Sequence, residues 1–181
     1  MKIAVMQPYF FPYVGYFQLI SSVDLFVIYD CVQFPRRGWV HRNKLTSAGA
    51  KISWLTLPLK KSSISTTIKR LEFMEEADYL IENRLRKFPL IYNYIMDKKV
   101  KIGIYTNGNI NLVKYLERTI NEVSEYFSIN TNFIRSSSLN IPNEYIGENR
   151  IIQIAKCLNA STYINSTGGI GLYNYKTFKD N

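Results

Sequence analysis

The sequence predicts an α/β fold, a Rossmann-like and mainly parallel sheet with helices on both faces, in a single domain over residues 1–181. Three observations carry that expectation. Lys2 to Met6 and Leu25 to Tyr29 (LFVIY) are short apolar runs, the pattern of strands covered on both faces. A helical segment, Gly15 to Val23, lies between them, and strand, helix, strand within roughly thirty residues is a βαβ unit. Further along, helical and strand-like patterns keep alternating, with no internal repeat and no inter-domain linker.

Taken in order, the first strand ends at Met6, and the helix after it puts Phe17, Leu19 and Ile20 on its apolar side. The crossover to the second strand is expected to be right-handed. Asp30 to Ala50 is polar and contains glycine, and it reads as a long loop around RRGWVHRNKL. Ile52 to Leu57 (ISWLTL) reads as a strand and Ser62 to Lys69 as a mobile loop. Glu75 to Lys87 carries acids at its start and bases at its end, which complements a helix dipole. Pro89 breaks that helix or opens the next, Leu90 to Met96. Asn111 to Phe127 is the clearest amphipathic helix, because Leu112, Leu116, Ile120 and Val123 recur three or four residues apart. Thr131 to Arg135 reads as a strand, Asn149 to Leu158 as a helix with its isoleucines inward, and Thr162 to Asn165 as the last strand.

A chain of 181 residues has room for a sizeable core. No apolar run approaches the length of a membrane span, and the interrupted N-terminus lacks a signal-peptide pattern. The expectation is a cytoplasmic chain with its start intact. Cys31 and Cys157 fit no metal or redox spacing and read as reduced thiols. No metal site is expected, since His41 is the only histidine. The net charge of +9 points to an anionic partner: a nucleotide, a nucleotide-sugar, nucleic acid or a membrane surface. That signal is discounted, because a chain rich in Asn, Ile, Lys and Tyr also arises from AT-rich coding sequence. Lys60-Lys61 and Lys98-Lys99 read as solvated faces.

In open parallel sheets, ligands bind beyond the carboxyl ends of the strands. Three unusual segments fall there: QPYFFPYVGYF, YDCVQFPRRGWVHRN and NSTGG. In the first, which begins with Gln7, Pro8 and Pro12 stiffen the loop, and Gly15 admits a ligand to free N–H groups at a helix start. Tyr9, Tyr13 and Tyr16 offer flat faces with polar tips, suited to a sugar or a base. Each aromatic taken alone is equally at home in the core. In the second segment, Arg36, Arg37 and Arg42 suit phosphate or carboxylate, Trp39 suits a ring, and Asn43 supplies an amide. Asp30 and His41 are the candidate catalytic acid or base, against the plainer readings of a turn residue and a hydrogen-bonded loop histidine. In the third, Asn165, Ser166, Gly168 and Gly169 form either a tight turn or a ligand loop. Arg150 begins a helix, where a cation opposes the dipole, and this calls for a ligand or carboxylate partner.

MKIAVMQPYFFPYVGYFQLI, then FVIYDCVQFPRRGWVHRNKL, WLTLPL and NRIIQIAKCLNASTYINSTGG closely resemble the WbqC-like family, in order and over most of the chain. The resemblance implies a role in bacterial surface glycans such as O-antigen, lipopolysaccharide or capsule. Family members run longer, so a further C-terminal element is expected. A remoter resemblance is to the nucleotidylyltransferase-like (HUP-like) layout that includes pantoate–β-alanine ligase. Tyr13-Val14-Gly15-Tyr16 stands at the place of its His-x-Gly-His, and Gln33-Phe34 at the place of a Gln-Phe. Two tyrosines cannot supply two imidazoles to a transferring phosphate, which speaks against ordinary adenylyl transfer.

These resemblances imply a transferase or amide-forming ligase acting on a nucleotide-linked or otherwise activated sugar, with acyl or aminoacyl transfer to a sugar amine, and ATP as a candidate co-substrate. Two alternatives stay open: a non-catalytic module that holds a glycan precursor or a partner, and an ATP-dependent nucleotidylyltransferase-like enzyme. Nucleic acid is not the expected partner, since no RNP or helix-turn-helix pattern is present.

Overall fold

The computed structural model describes residues 1–96, 105–106, 108 and 111–179. Lys98 and Lys99, expected as a solvated face, lie outside the described residues. The elements in chain order are β1 (Lys2–Met6), α1 (Val14–Ser21), β2 (Leu25–Ile28), β3 (Arg42–Thr46), β4 (Ile52–Thr56), α2 (Ala77–Leu85), α3 (Pro89–Met96), α4 (Leu112–Tyr126), β5 (Asn132–Arg135), α5 (Gly147–Cys157), β6 (Thr162–Tyr163) and α6 (Tyr175–Lys179). They belong to two compact units. The first comprises Met1–Gln7, Pro12–Asp30 and Ser128–Asn181, and the second Pro8–Phe11 and Cys31–Phe127.

The first unit is built on a four-stranded sheet in the order β5-β2-β1-β6, parallel throughout. The predicted Rossmann-like α/β layout is therefore present. Successive strand residues point to opposite faces, and both faces are covered. Ile3, Val5 and Val27 pack with Ile151 and Ile154 of α5. On the other face Phe26 meets Tyr16 of α1, ring centres 5.4 Å apart, and Phe133 of β5 at 5.7 Å. Each such buried side chain contributes roughly 1.5–3 kcal/mol relative to exposure. Burial on both faces is why β1 and β2 read as unbroken apolar runs rather than alternating ones.

The second unit carries the antiparallel pair β3 and β4, with Arg42 opposite Thr56 and Thr46 opposite Ile52. The long loop expected over Asp30 to Ala50 thus contains a strand. Its residues, Arg-Asn-Lys-Leu-Thr, have no buried member, so no apolar alternation marks them. Pairing with β4 holds this strand, not a core-facing stripe. In the segment expected as a loop over Ser62 to Lys69, Thr67 bridges to Gln33 and a short 3-10 turn spans Ile68–Arg70. The amphipathic helix α4 forms as predicted, capped by Asn111, whose side chain accepts from the Lys114 N–H at 3.1 Å. Its Tyr115 is fully buried against Phe73, ring centres 5.2 Å apart. Among the described residues no helix is long and apolar enough to cross a membrane.

Candidate functional site

The strand order marks a topological switch point. From β1 the chain winds outward to β2 and then β5, and returns to the opposite side of β1 as β6. Numbering only these strands gives 3-2-1-4, the doubly wound order whose switch point lies between the first and last of the four. On the β2 side, β1 is paired through to Met6. On the β6 side the register ends at Ile3 opposite Tyr163, and the last tie is Ile164 N–H to the Ile3 carbonyl at 2.8 Å. The two strands therefore part before β1 ends, at their carboxyl edge.

The segments that leave this edge hold several of the expected residues. Helix α1 starts after Tyr13, an extended residue that offers no side-chain cap, and no acid stands in its first turn. The first N–H groups of α1 thus have no capping side chain and no neighbouring acid, although the Tyr16 N–H donates to the Tyr13 carbonyl at 2.9 Å. The Tyr13 ring lies against Gly15: a Cβ there would come within 2.5 Å of Tyr13 Cε2. Tyr13 is exposed, whereas Tyr16 is 0% exposed and donates its hydroxyl to the Gln7 carbonyl at 3.0 Å. Tyr16 is therefore core, and Pro12 is half-buried at the entry to the helix. After β6, Asn165 Oδ1 accepts from Ser166 N–H at 2.9 Å, and Gly169 N–H donates to the Ser166 carbonyl at 2.9 Å. The Asn165 side chain packs onto Gly169: a Cβ there would fall 2.2 Å from Asn165 Nδ2, so a larger residue would displace that amide. A Cβ at exposed Gly168 would meet nothing within 4 Å.

Asp30 and Arg150 have internal partners. Asp30 is 1% exposed. Its Oδ1 accepts from Ser136 Oγ and from the Ser137 N–H, both at 2.9 Å, and its Oδ2 accepts from Ser137 Oγ at 2.6 Å. The carboxylate ties the end of β2 to the turn after β5. Arg150 is buried and donates to the carbonyls of Pro142 (3.1 Å) and Tyr145 (3.2 Å). Those carbonyls offset its unfavourable position in the first turn of α5.

The other expected residues lie in the second unit. Arg42 holds its guanidinium carbon 4.2 Å from the centre of the Trp54 ring, and Lys44 Nζ lies 5.3 Å from it. Trp39 lies beside Trp54, ring centres 5.4 Å apart and tilted by 39°, the two side chains 42% and 41% exposed. The result is an indole pair flanked by cations, a surface that suits a sugar or a base beside a phosphate. Arg42 also donates to the Arg37 carbonyl at 2.9 Å, and the Arg37 residue is exposed. Asn43 clamps the aromatic loop, donating to the carbonyls of Phe10 (3.0 Å) and Phe11 (2.6 Å). In the same loop Pro8 is buried and Tyr9 half-buried. Gln33 donates to the Ile64 carbonyl at 2.8 Å. His41 packs edge-on against Phe34 and is held neutral: burial, then Arg42 and Arg36, lower its pKa to about 4.

The model of the WbqC-like protein family matches residues 7–181. The chain belongs to this family. It is also 43% identical, over 60 residues, to a Mycobacterium tuberculosis protein called "uncharacterized protein Rv1507c". That match covers 33% of this chain and 25% of the relative, so the chain spans about a quarter of that relative's length. No solved structure matches the chain.

Three contributors to this WbqC-like arrangement escaped sequence reasoning. Trp54 sits in ISWLTL, where it reads as one more strand aromatic. Ser136 and Ser137 lie in a serine run after β5 that carries no motif. The nearest available signal was their position, since a parallel strand ends in front of them and loops at that edge carry function.

Proposed function

We propose that the chain acts in the building of a bacterial surface polysaccharide, binding a nucleotide-linked or otherwise activated sugar and joining an acyl or aminoacyl group to a sugar amine. The amine nitrogen would attack the activated acyl carbon, the bond to the leaving group would break, and the amine proton would pass to solvent. The observation that carries the reading is the parting of β1 and β6 at the switch point of a 3-2-1-4 sheet, where folds of this layout take nucleotides. The uncapped start of α1 suits the diphosphate, and the Tyr13 face suits the ring. Membership of the WbqC-like family, together with the surface-glycan role that the sequence resemblance implies, supports the substrate class. The catalytic contribution is positioning and charge stabilisation.

The rival reading, binding without turnover, draws on Asp30. Its carboxylate takes three hydrogen bonds from Ser136 and Ser137, an arrangement that suits a structural tie better than a general base.

Calorimetry with UDP- and dTDP-linked amino sugars and with ATP tests the reading. The native chain is expected to bind at least one sugar nucleotide. Gly168→Val, whose new side chain would meet open space rather than protein, should abolish that binding without unfolding the chain. Absence of binding to every compound would overturn the proposal. Mass spectrometry of the sugar nucleotide, incubated with acyl and aminoacyl donors, separates an enzyme from a binding module.

A further inference from the structure

The second unit contains a cavity of about 320 Å³, near the lower end of the size range of small-molecule sites. The charged side chains that line it are all cationic: Arg36, Lys60, Lys61 and Arg84. Among the described residues only Lys60 of these has a carboxylate partner, Glu72 at 3.1 Å. Arg36 and Arg84 are each anchored by one donor, to the carbonyls of Ser62 and Thr56. A guanidinium has five N–H donors in a fixed fork, so both keep donors for a ligand. His41 completes the lining, with a buried Nδ1 that has no hydrogen-bond partner among the described residues.

Like charges gathered around one hollow repel each other, and a bound anion relieves that repulsion. With Lys60 paired to Glu72, the three remaining cations, two of them arginines, favour a dianion over a monoanion. We infer that this cavity is a binding site for a phosphate group, borne by a small ester or free in solution, held by Arg36, Arg84 and Lys61 beside His41. The site is independent of the switch point between β1 and β6, since none of its residues belongs to the first unit. The volume accepts a phosphorylated monosaccharide more readily than a whole nucleotide-linked sugar.

The only histidine provides the reporter. In the full chain labelled at histidine nitrogen, inorganic phosphate and glucose 1-phosphate should each move the imidazole signal saturably, half-saturating at or below about 1 mM. Bound phosphate should also raise the midpoint of the imidazole titration from its value of about 4. Tighter binding of glucose 1-phosphate assigns an ester, and equal binding assigns free phosphate. Arg84→Gln should weaken binding about tenfold. Because Arg84 also anchors Thr56, exposed Lys61→Gln serves as the milder variant, with an expected loss of about threefold. Gly168→Val should leave the titration unchanged. No saturable shift up to about 20 mM phosphate, native affinity in both charge variants, equal affinity for acetate, or loss of binding in Gly168→Val would each overturn the assignment.

Discussion

Asp30 and Ser136 exchange hydrogen bonds across 106 residues of chain: the Asp30 N–H donates to Ser136 Oγ at 3.1 Å, and that hydroxyl donates back to Asp30 Oδ1 at 2.9 Å. The pair lies at the carboxyl edge of the sheet, where β2 and β5 end. Buried hydrogen bonds to a charged group are among the stronger polar contributions to a fold.

Asp30→Ala is therefore expected to destabilise the protein by about 2–4 kcal/mol, because it leaves Ser136 and Ser137 without their acceptor. Urea denaturation followed by circular dichroism measures this. A double cycle with Ser137→Ala should show a coupling of about 1 kcal/mol or more, as expected for groups in one network. Near-native stability of Asp30→Ala would release this carboxylate for a catalytic role.

Asn43 serves the aromatic loop in a similar way. Its amide holds the Phe10 and Phe11 carbonyls, and Phe11 sits at φ 49°, a left-handed conformation that a bulky residue rarely adopts. Asn43→Ala should cost about 1–2 kcal/mol and free the strained residue. Hydrogen exchange should then quicken at the Phe10 N–H, which donates to the Trp39 carbonyl at 3.0 Å.

The indole pair is a built-in optical probe, since Trp39 and Trp54 are the only tryptophans. A free nucleotide or other ring-bearing anion that stacks on them should quench their emission. Arg42→Ala removes the cation over Trp54 and is expected to weaken such binding by about 0.5–2 kcal/mol. Fluorescence titration of the native and variant chains decides this, and unchanged emission at saturating ligand would place the ligand elsewhere.

His41 makes stability depend on pH. Its folded pKa of about 4 lies below the ordinary 6.5, so between these values the unfolded chain binds more protons than the folded one. Stability is full above about pH 6.5, falls as pH drops through the window and levels off below about 4. Because the ring is only partly buried, solvent screening reduces the loss to about 1–2 kcal/mol. In His41→Gln this slope should flatten, which denaturation midpoints at pH 4, 5, 6 and 7 would reveal.

The βαβ opening and the parallel sheet were legible in the residues alone, because burial on both faces writes an unbroken apolar pattern into β1 and β2. The sequence also singled out the segments that leave the carboxyl edge, since rigid aromatic and glycine-rich loops are conspicuous beside polar ones. The role of each polar side chain there emerges from long-range contacts. Asp30 and Arg150 look like free ionisable groups in the sequence, yet serines and backbone carbonyls 5 to 107 residues away occupy them. Strand β3 was hidden because pairing with β4, rather than an apolar stripe, holds it in place. The cationic cavity was hidden for a related reason. Arg36, Lys60, Lys61 and Arg84 come from separate stretches of chain, and a local pattern of charges carries no record of which long-range contacts will gather them.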